Sequence, residues 1–144
     1  MKKSSLLSVV MMIVFGGFVF LFQEAIGKDT VGFSVGLKKD RLEISIATKK
    51  VADFVFADPK ILRPYFSNVL LPSGFKVTRN HPPIAATDAI DHETMHPGIW
   101  LAFGDISGTD FWRNKGRIEH LKFVEEPKAG MDLIVFATES RLLT

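Results

Sequence analysis

A two-residue period constrains this chain more than any other feature. Between residues 41 and 48, Leu42, Ile44 and Ile46 alternate with Glu43 and Ser45. Successive side chains fall on opposite faces in a strand, so this spacing marks a strand with one buried face. Similar short runs, rich in β-branched and aromatic residues, recur near 31–37, 51–57, 65–71, 75–78, 99–103, 117–124 and 131–138. Turn chemistry separates them: Lys38-Lys39-Asp40, Lys49-Lys50, Asp58-Pro59 and Pro72-Ser73-Gly74. No helical period is evident after residue 27, and 59–63 has room for a single turn. The expected fold class is all-β, an antiparallel β-sandwich following an N-terminal signal helix.

The signal reading rests on Lys2 and Lys3, an apolar run over 6–22, and the small residues Ala25 and Gly27. That order is the one an export signal shows, with cleavage after Gly27 and a mature start at Lys28. Seventeen residues at about 1.5 Å each span roughly 26 Å, close to a hydrocarbon core of about 30 Å, so an uncleaved membrane anchor is the alternative. The division is therefore a signal at 1–27 and a β-rich domain at 28–144. Its expected location is the periplasm or the outside of the cell, with inner-membrane anchoring through 6–22 as the alternative.

Composition narrows the partners. The signal takes two of 18 lysines and arginines and one of 16 acids, which leaves the domain within one charge of neutrality. No basic stripe points to nucleic acid. With no cysteine, neither a disulfide nor a thiolate metal site supports the fold. Membrane contact is expected only if the N-terminal segment stays uncleaved, and oligomeric state is left open. The final strand-like run reaches Leu143 with no turn before Thr144, leaving an edge that a complete sheet would pair. The expectation is a truncated product.

The chemistry concentrates between residues 80 and 116. Periodicity stops at 80–97, a loop with three prolines and three of the four histidines: His81, His92 and His96. His92 and His96 stand four apart, a spacing that puts both on one side of a helical turn. They are the candidate catalytic residues, acting as acid and base with Asp91, Glu93, Asp105 or Asp110 as carboxylate partners. A metal held by His92, His96 and Glu93 or Asp91 is the competing arrangement, although the zinc-protease pattern has one residue fewer between its histidines. No metal ligand is assigned and no cofactor is specified. Trp100 and Trp112 offer aromatic faces of the kind that stack on sugar rings, while Phe103 and Trp100 also suit a core. Candidate substrate-binding residues are Arg63, Tyr65, Arg79, Trp100, Asp105, Asp110 and Trp112. Asp105 and Asp110 also fit turns beside Gly104 and Gly108. Arg63 precedes Pro64, which holds its backbone extended, so it could grip a carboxylate of the cluster. The loops 80–97 and 104–116 are expected to face one another across a shared concave site.

The ordered series Arg63-Pro-Tyr-Phe, Pro72-Ser-Gly, Val77-Thr-Arg-Asn-His-Pro-Pro, Asp91-His-Glu-Thr-Met-His-Pro-Gly-Ile-Trp100 and Gly104-Asp-Ile-Ser-Gly-Thr-Asp-Phe-Trp112 resembles a bacterial family often labelled "methane oxygenase PmoA". The resemblance spans roughly 58–120. It implies an exported β-rich protein about twice this mature length, here an incomplete, truncated supersandwich-like domain. It also implies carbohydrate as the partner, through binding or through lyase, hydrolase or epimerase chemistry. The alternatives are a His/carboxylate metal-dependent enzyme such as an oxygenase, and an inactive fragment or structural exported domain.

Overall fold

The computed structural model describes residues 11–15, 18–22, 32–101 and 103–144. The chain divides into two units, Met1–Thr30 and Val31–Thr144. In the first, β1 (Met11–Phe15) and β2 (Phe18–Phe22) pair antiparallel, from Met11 opposite Phe22 to Phe15 opposite Phe18. This differs from the helix expected over the apolar run. The run is rich in Val and Phe, which favour strands. The expected cleavage site and domain boundary lie outside the described residues. Among the described residues, no helix is long and apolar enough to cross a membrane.

The second unit is all-β. Its main sheet is antiparallel, in the order β3 (Phe33–Leu37), β4 (Arg41–Ile46), β5 (Lys49–Val55), β6 (Tyr65–Ser67) and β7 (Ile99–Trp100). Two hairpins follow: the short β8 (Asp105–Ile106) with β9 (Thr109–Asp110), and the long β10 (Arg117–Ala129) with β11 (Ile134–Leu143). Pro127 falls where the β10–β11 register shifts, the kind of position at which a strand tolerates a residue with no N–H.

One bulge sets the chemistry of the whole sheet. The β4–β5 hairpin turns at Ala47-Thr48, with Ala47 at φ 52°, so Lys49 and Lys50 enter β5 and do not form the turn. Ile46 then faces Lys49 and Ser45 faces Lys50, and uninterrupted pairing would set Asp53 opposite Leu42. Instead Ile44 faces Ala52, and the register shift absorbs Val51. Phe54 thereby comes opposite Leu42, and Asp53 opposite Glu43. An apolar row runs across all five strands, Leu37-Leu42-Phe54-Phe66-Ile99. The neighbouring row, Arg41-Val55-Tyr65-Trp100, points to the other face.

The apolar face packs on the long hairpin, making the second layer of a sandwich. Phe54 meets Phe136 at 5.0 Å between ring centroids, and Phe56 meets Phe123 edge-on at 5.6 Å. β5 is the centre of the sheet, and Val51 through Val55 are all buried. The other face carries a smaller core of Val55, Ile61 and Tyr65 with Trp100 packed against it. The loops that follow β5, β6 and β7 assemble beyond that core.

Several strands are shorter than their sequence runs. β6 stops at Ser67 and β7 at Trp100, and the run at 75–78 contributes one bridge, Leu70 to Lys76. Leu101, Phe103 and Phe75 are exposed, so their apolar character in sequence reflects no burial. Phe54 touches Phe56, Phe66 and Phe136, and Phe54→Ala should cost about 3 to 5 kcal/mol through lost contacts and an unfilled cavity. Urea unfolding checks this. A change below about 1 kcal/mol would mean that the two layers do not pack through this ring.

Candidate functional site

Arg63 organises the region in which the sequence places its chemistry. Its side chain is 3% exposed. Nη1 donates to the carbonyls of Phe111 and Trp112, at 3.0 and 2.7 Å, and Nη2 donates to that of Met95 at 2.7 Å. The guanidinium also lies 5.0 Å above the Trp100 ring, a cation–π distance. One side chain from the β5–β6 connection thus joins the loop before β7 to the loop after β9. Asn114 adds a second tie, donating to the Thr94 carbonyl at 3.0 Å. The two loops expected to face one another across a concave site touch at these contacts. In place of the carboxylate expected at Arg63 stand carbonyl oxygens and an indole face. Desolvation holds the Arg63 pKa below its usual value.

Arg79 performs a similar task within one loop. Nε donates to His96 O at 3.1 Å, Nη1 to Ala89 O and Asp91 O at 2.6 and 3.0 Å, and Nη2 to His92 O at 3.2 Å. Its planar fork is therefore spent on backbone, and the substrate-donor role expected for it has few N–H groups left. Asp88 closes the other half of the loop, accepting from Asn80 N and Nδ2 and from Ile84 N. Gly98 makes the re-entry into β7 possible, because a Cβ there would collide with the Phe66 carbonyl.

Held in this way, the loop contains one helical turn. Met95 N and His96 N both donate to His92 O at 2.9 Å, which sets the His92 and His96 rings 5.7 Å apart. His96 lies 5.3 Å from Trp100, and Trp100 lies 5.9 Å from Trp112. Four of the expected site residues thus form a continuous aromatic series, with Arg63 against its third ring. Trp112 is 46% exposed, and both histidines are exposed. His92 Nδ1 lies 2.9 Å from Asp91 Oδ2. An ionised carboxylate only accepts, so Nδ1 carries the proton and Nε2 is left as the acceptor. That bond, foremost, lowers the pKa of Asp91.

Asp105 and Asp110 do not join this series by any contact. Asp105 accepts from Gly108 N at 2.8 Å, and Asp110 accepts from Arg113 N and Nη1 at 3.1 and 2.7 Å. Asp105 shapes the β8–β9 turn and Asp110 the turn that follows β9, in keeping with their turn-forming chemistry. Among the described residues, no group of three or more His, Asp or Glu is placed to hold a metal ion. His92 and His96 sit together without the third donor that the metal arrangement needs.

Tyr65 has a partner set that the sequence does not reveal. It is 2% exposed; its hydroxyl donates to Asp58 Oδ2 at 2.7 Å and lies 3.0 Å from His81 Nε2. Since the phenol proton goes to the carboxylate, His81 must donate at Nε2, leaving Nδ1 as a buried acceptor without a partner. Asp58 reads in sequence as a strand breaker before Pro59; its other oxygen accepts from Lys60 N and Ile61 N, fixing the turn. Burial, then the Asp58 bond, drives the Tyr65 phenol far above its usual range, so it stays protonated. Tyr65 therefore anchors its loop from below and offers no ionised oxygen to a ligand.

Burial holds His81 below the usual imidazole range, against the opposing pull of Asp58, and burial does the same to His120. The folded protein then binds fewer protons than the unfolded chain just below pH of about 6.5. This contribution to stability is complete above that pH and is lost as pH falls through the folded values. The urea midpoint should therefore drop between about pH 7.5 and 5, and His120→Gln should flatten part of the slope. A midpoint that is constant or rises on acidification would contradict the assignment.

No curated protein and no solved structure matches the chain. A family of unknown function, DUF6807, matches residues 41–142, the stretch from β4 to the penultimate residue of β11, so it takes in the aromatic series and the loops that carry it. The chain belongs to this family.

Proposed function

We propose that this is an exported, carbohydrate-directed domain whose ligand lies on the aromatic series His92, His96, Trp100 and Trp112. The carrying observation is that series itself: the loop before β7, β7 and the loop after β9 contribute its rings, and two buried or spent arginines hold the loops. Indole and imidazole faces stack on the apolar face of a pyranose, and the ring nitrogens of the exposed residues His96 and Trp112 serve its hydroxyls, whereas Trp100 Nε1 is buried and offers only its ring face. Trp112 supplies the open platform and His96 the adjoining polar edge. The periplasm or cell exterior is the compartment this reading assumes, because of the signal-like N-terminus. Kinship with the family labelled "methane oxygenase PmoA" rests on the motif series alone.

The lyase, hydrolase or epimerase form of the reading draws on a second observation. The Asp91–His92 pair orients an imidazole and leaves Nε2 as a base at the rim of the platform. A ligand stacked on Trp112 and Trp100 would present its ring hydrogens or glycosidic oxygen along the row toward His96 and His92.

Calorimetric titration with a panel of neutral and acidic oligosaccharides tests the proposal. At least one class should bind saturably, and Trp112→Ala should weaken it about tenfold. His96→Ala should weaken it as well, with the urea midpoint little changed, since both side chains are exposed. Absence of saccharide binding, or binding indifferent to both substitutions, would overturn the reading.

A further inference from the structure

The two edges of the long hairpin are built differently. Each of its three register shifts adds a residue to β10, so that 13 residues of β10 lie along 10 of β11. Bulges and Pro127 therefore interrupt the edge of β10, as natural sheets do where an edge must not pair. β11 carries neither device. Between Ile134 and Leu143 it has no proline and no extra residue, and its second edge pairs with no strand among the described residues. Phe136 packs on Phe54 and Phe66, so by alternation Thr138, Ser140 and Leu142 also face the main sheet, and none of them is charged. A long strand edge left unprotected in this way is a template for another strand.

β11 also walls a cavity of about 470 Å³ between the layers, with Phe66, Ile99 and Phe103 on the main-sheet side and Thr138, Ser140 and Leu142 on its own. Ile99, Phe103 and Leu142 are exposed, so the apolar wall reaches solvent and gains by being covered. We propose that a second copy of this chain covers it, the β11 strands of the two copies pairing antiparallel about a twofold axis at Ser140. Charge selects both the partner and the register. On the outer face, Glu139 pairs with Lys122 at 3.2 Å and Arg141 with Glu119 at 2.6 Å. To keep each face continuous, a residue must sit on the axis, because a one-residue slip exchanges the faces. An axis at Glu139 or at Arg141 sets like charges opposite one another. An axis at Ser140 sets Glu139 of each copy opposite Arg141 of the other, and Thr138 opposite Leu142 on the cavity side. The outer face then alternates in sign across the junction, from Lys122 and Glu139 to Arg141 and Glu119 of the second copy. That self-complementarity is what a twofold contact requires. None of His92, His96 and Trp112 lines the cavity, and the pairing stands whether or not the aromatic series binds sugar.

Sedimentation equilibrium of the purified chain across a dilution series tests the pairing. The mass should rise with concentration to that of two chains and no further. Glu139→Arg and Arg141→Glu each set like charges opposite at both sites of the register, and each should weaken association about tenfold or more. Both positions are exposed, so each variant should keep the far-UV circular dichroism of the parent. Mixing the two variants restores opposite charges at both sites, and the mixture should associate as the parent does. A single-chain mass at every concentration up to about 100 μM would overturn the proposal. So would dimers that both variants leave intact, or a mixture no more associated than its components.

Discussion

The guanidinium of Arg63 is the interaction on which the site depends. It is a buried cation that forms no ion pair among the described residues; three backbone carbonyls take its terminal nitrogens and an indole face lies beneath it, while its Nε is buried without a partner. Such a group is costly to bury and more costly to leave half-paired, so its partners are held tightly. Those partners belong to the two irregular loops, which have little regular pairing of their own. Removing the guanidinium would leave Met95, Phe111 and Trp112 carbonyls unpaired at the place where the loops meet. Lysine would not replace it, since a single ammonium cannot reach in the three directions that the planar fork covers.

The sheet makes that burial possible. The bulge at Val51 turns Phe54 toward the long hairpin and Asp53 and Val55 toward the loops. One face becomes an apolar interface between layers, and the other a mixed floor of Val55, Ile61, Tyr65 and Trp100. Tyr65 fixes the floor to Asp58 and His81, and Trp100 joins it to the series of mutually tilted rings. The residues of this region are thus divided by depth: Tyr65 and Arg63 lie beneath, while Trp112, His96 and His92 lie at the surface.

Much of this was legible in the sequence, for identifiable reasons. Period-2 runs and turn residues fix the all-β class and the positions of most strands, because side-chain alternation is a local property. The loss of periodicity at 80–97 and 104–116 locates the site loops, and the four-residue spacing of His92 and His96 foretells their adjacency in one turn. What sequence does not show is where long polar side chains spend their donors. Arg63 and Arg79 read as ligand contacts, yet both bind backbone carbonyls tens of residues away or in a neighbouring turn. Asp58 hides its link to Tyr65 behind an ordinary Asp-Pro turn. The turn at Ala47-Thr48 escapes notice because Lys49-Lys50 is the more turn-like pair, and only the bulge reconciles that register with the buried face. At the N-terminus, one apolar run meets the requirements of a signal helix and of a strand pair alike, since Val and Phe serve both.

The two tryptophans of the chain, Trp100 and Trp112, both belong to the aromatic series. Intrinsic fluorescence therefore reports on this one place, without labels or substitutions. Titration of the purified chain with oligosaccharides, followed by tryptophan emission, is the most direct test that the clamped loops form a sugar-binding face. A saturable change in intensity or wavelength with at least one saccharide class, lost in Trp112→Ala, is the result the account predicts. Emission that stays constant across the panel, from a protein shown to be folded, would contradict it.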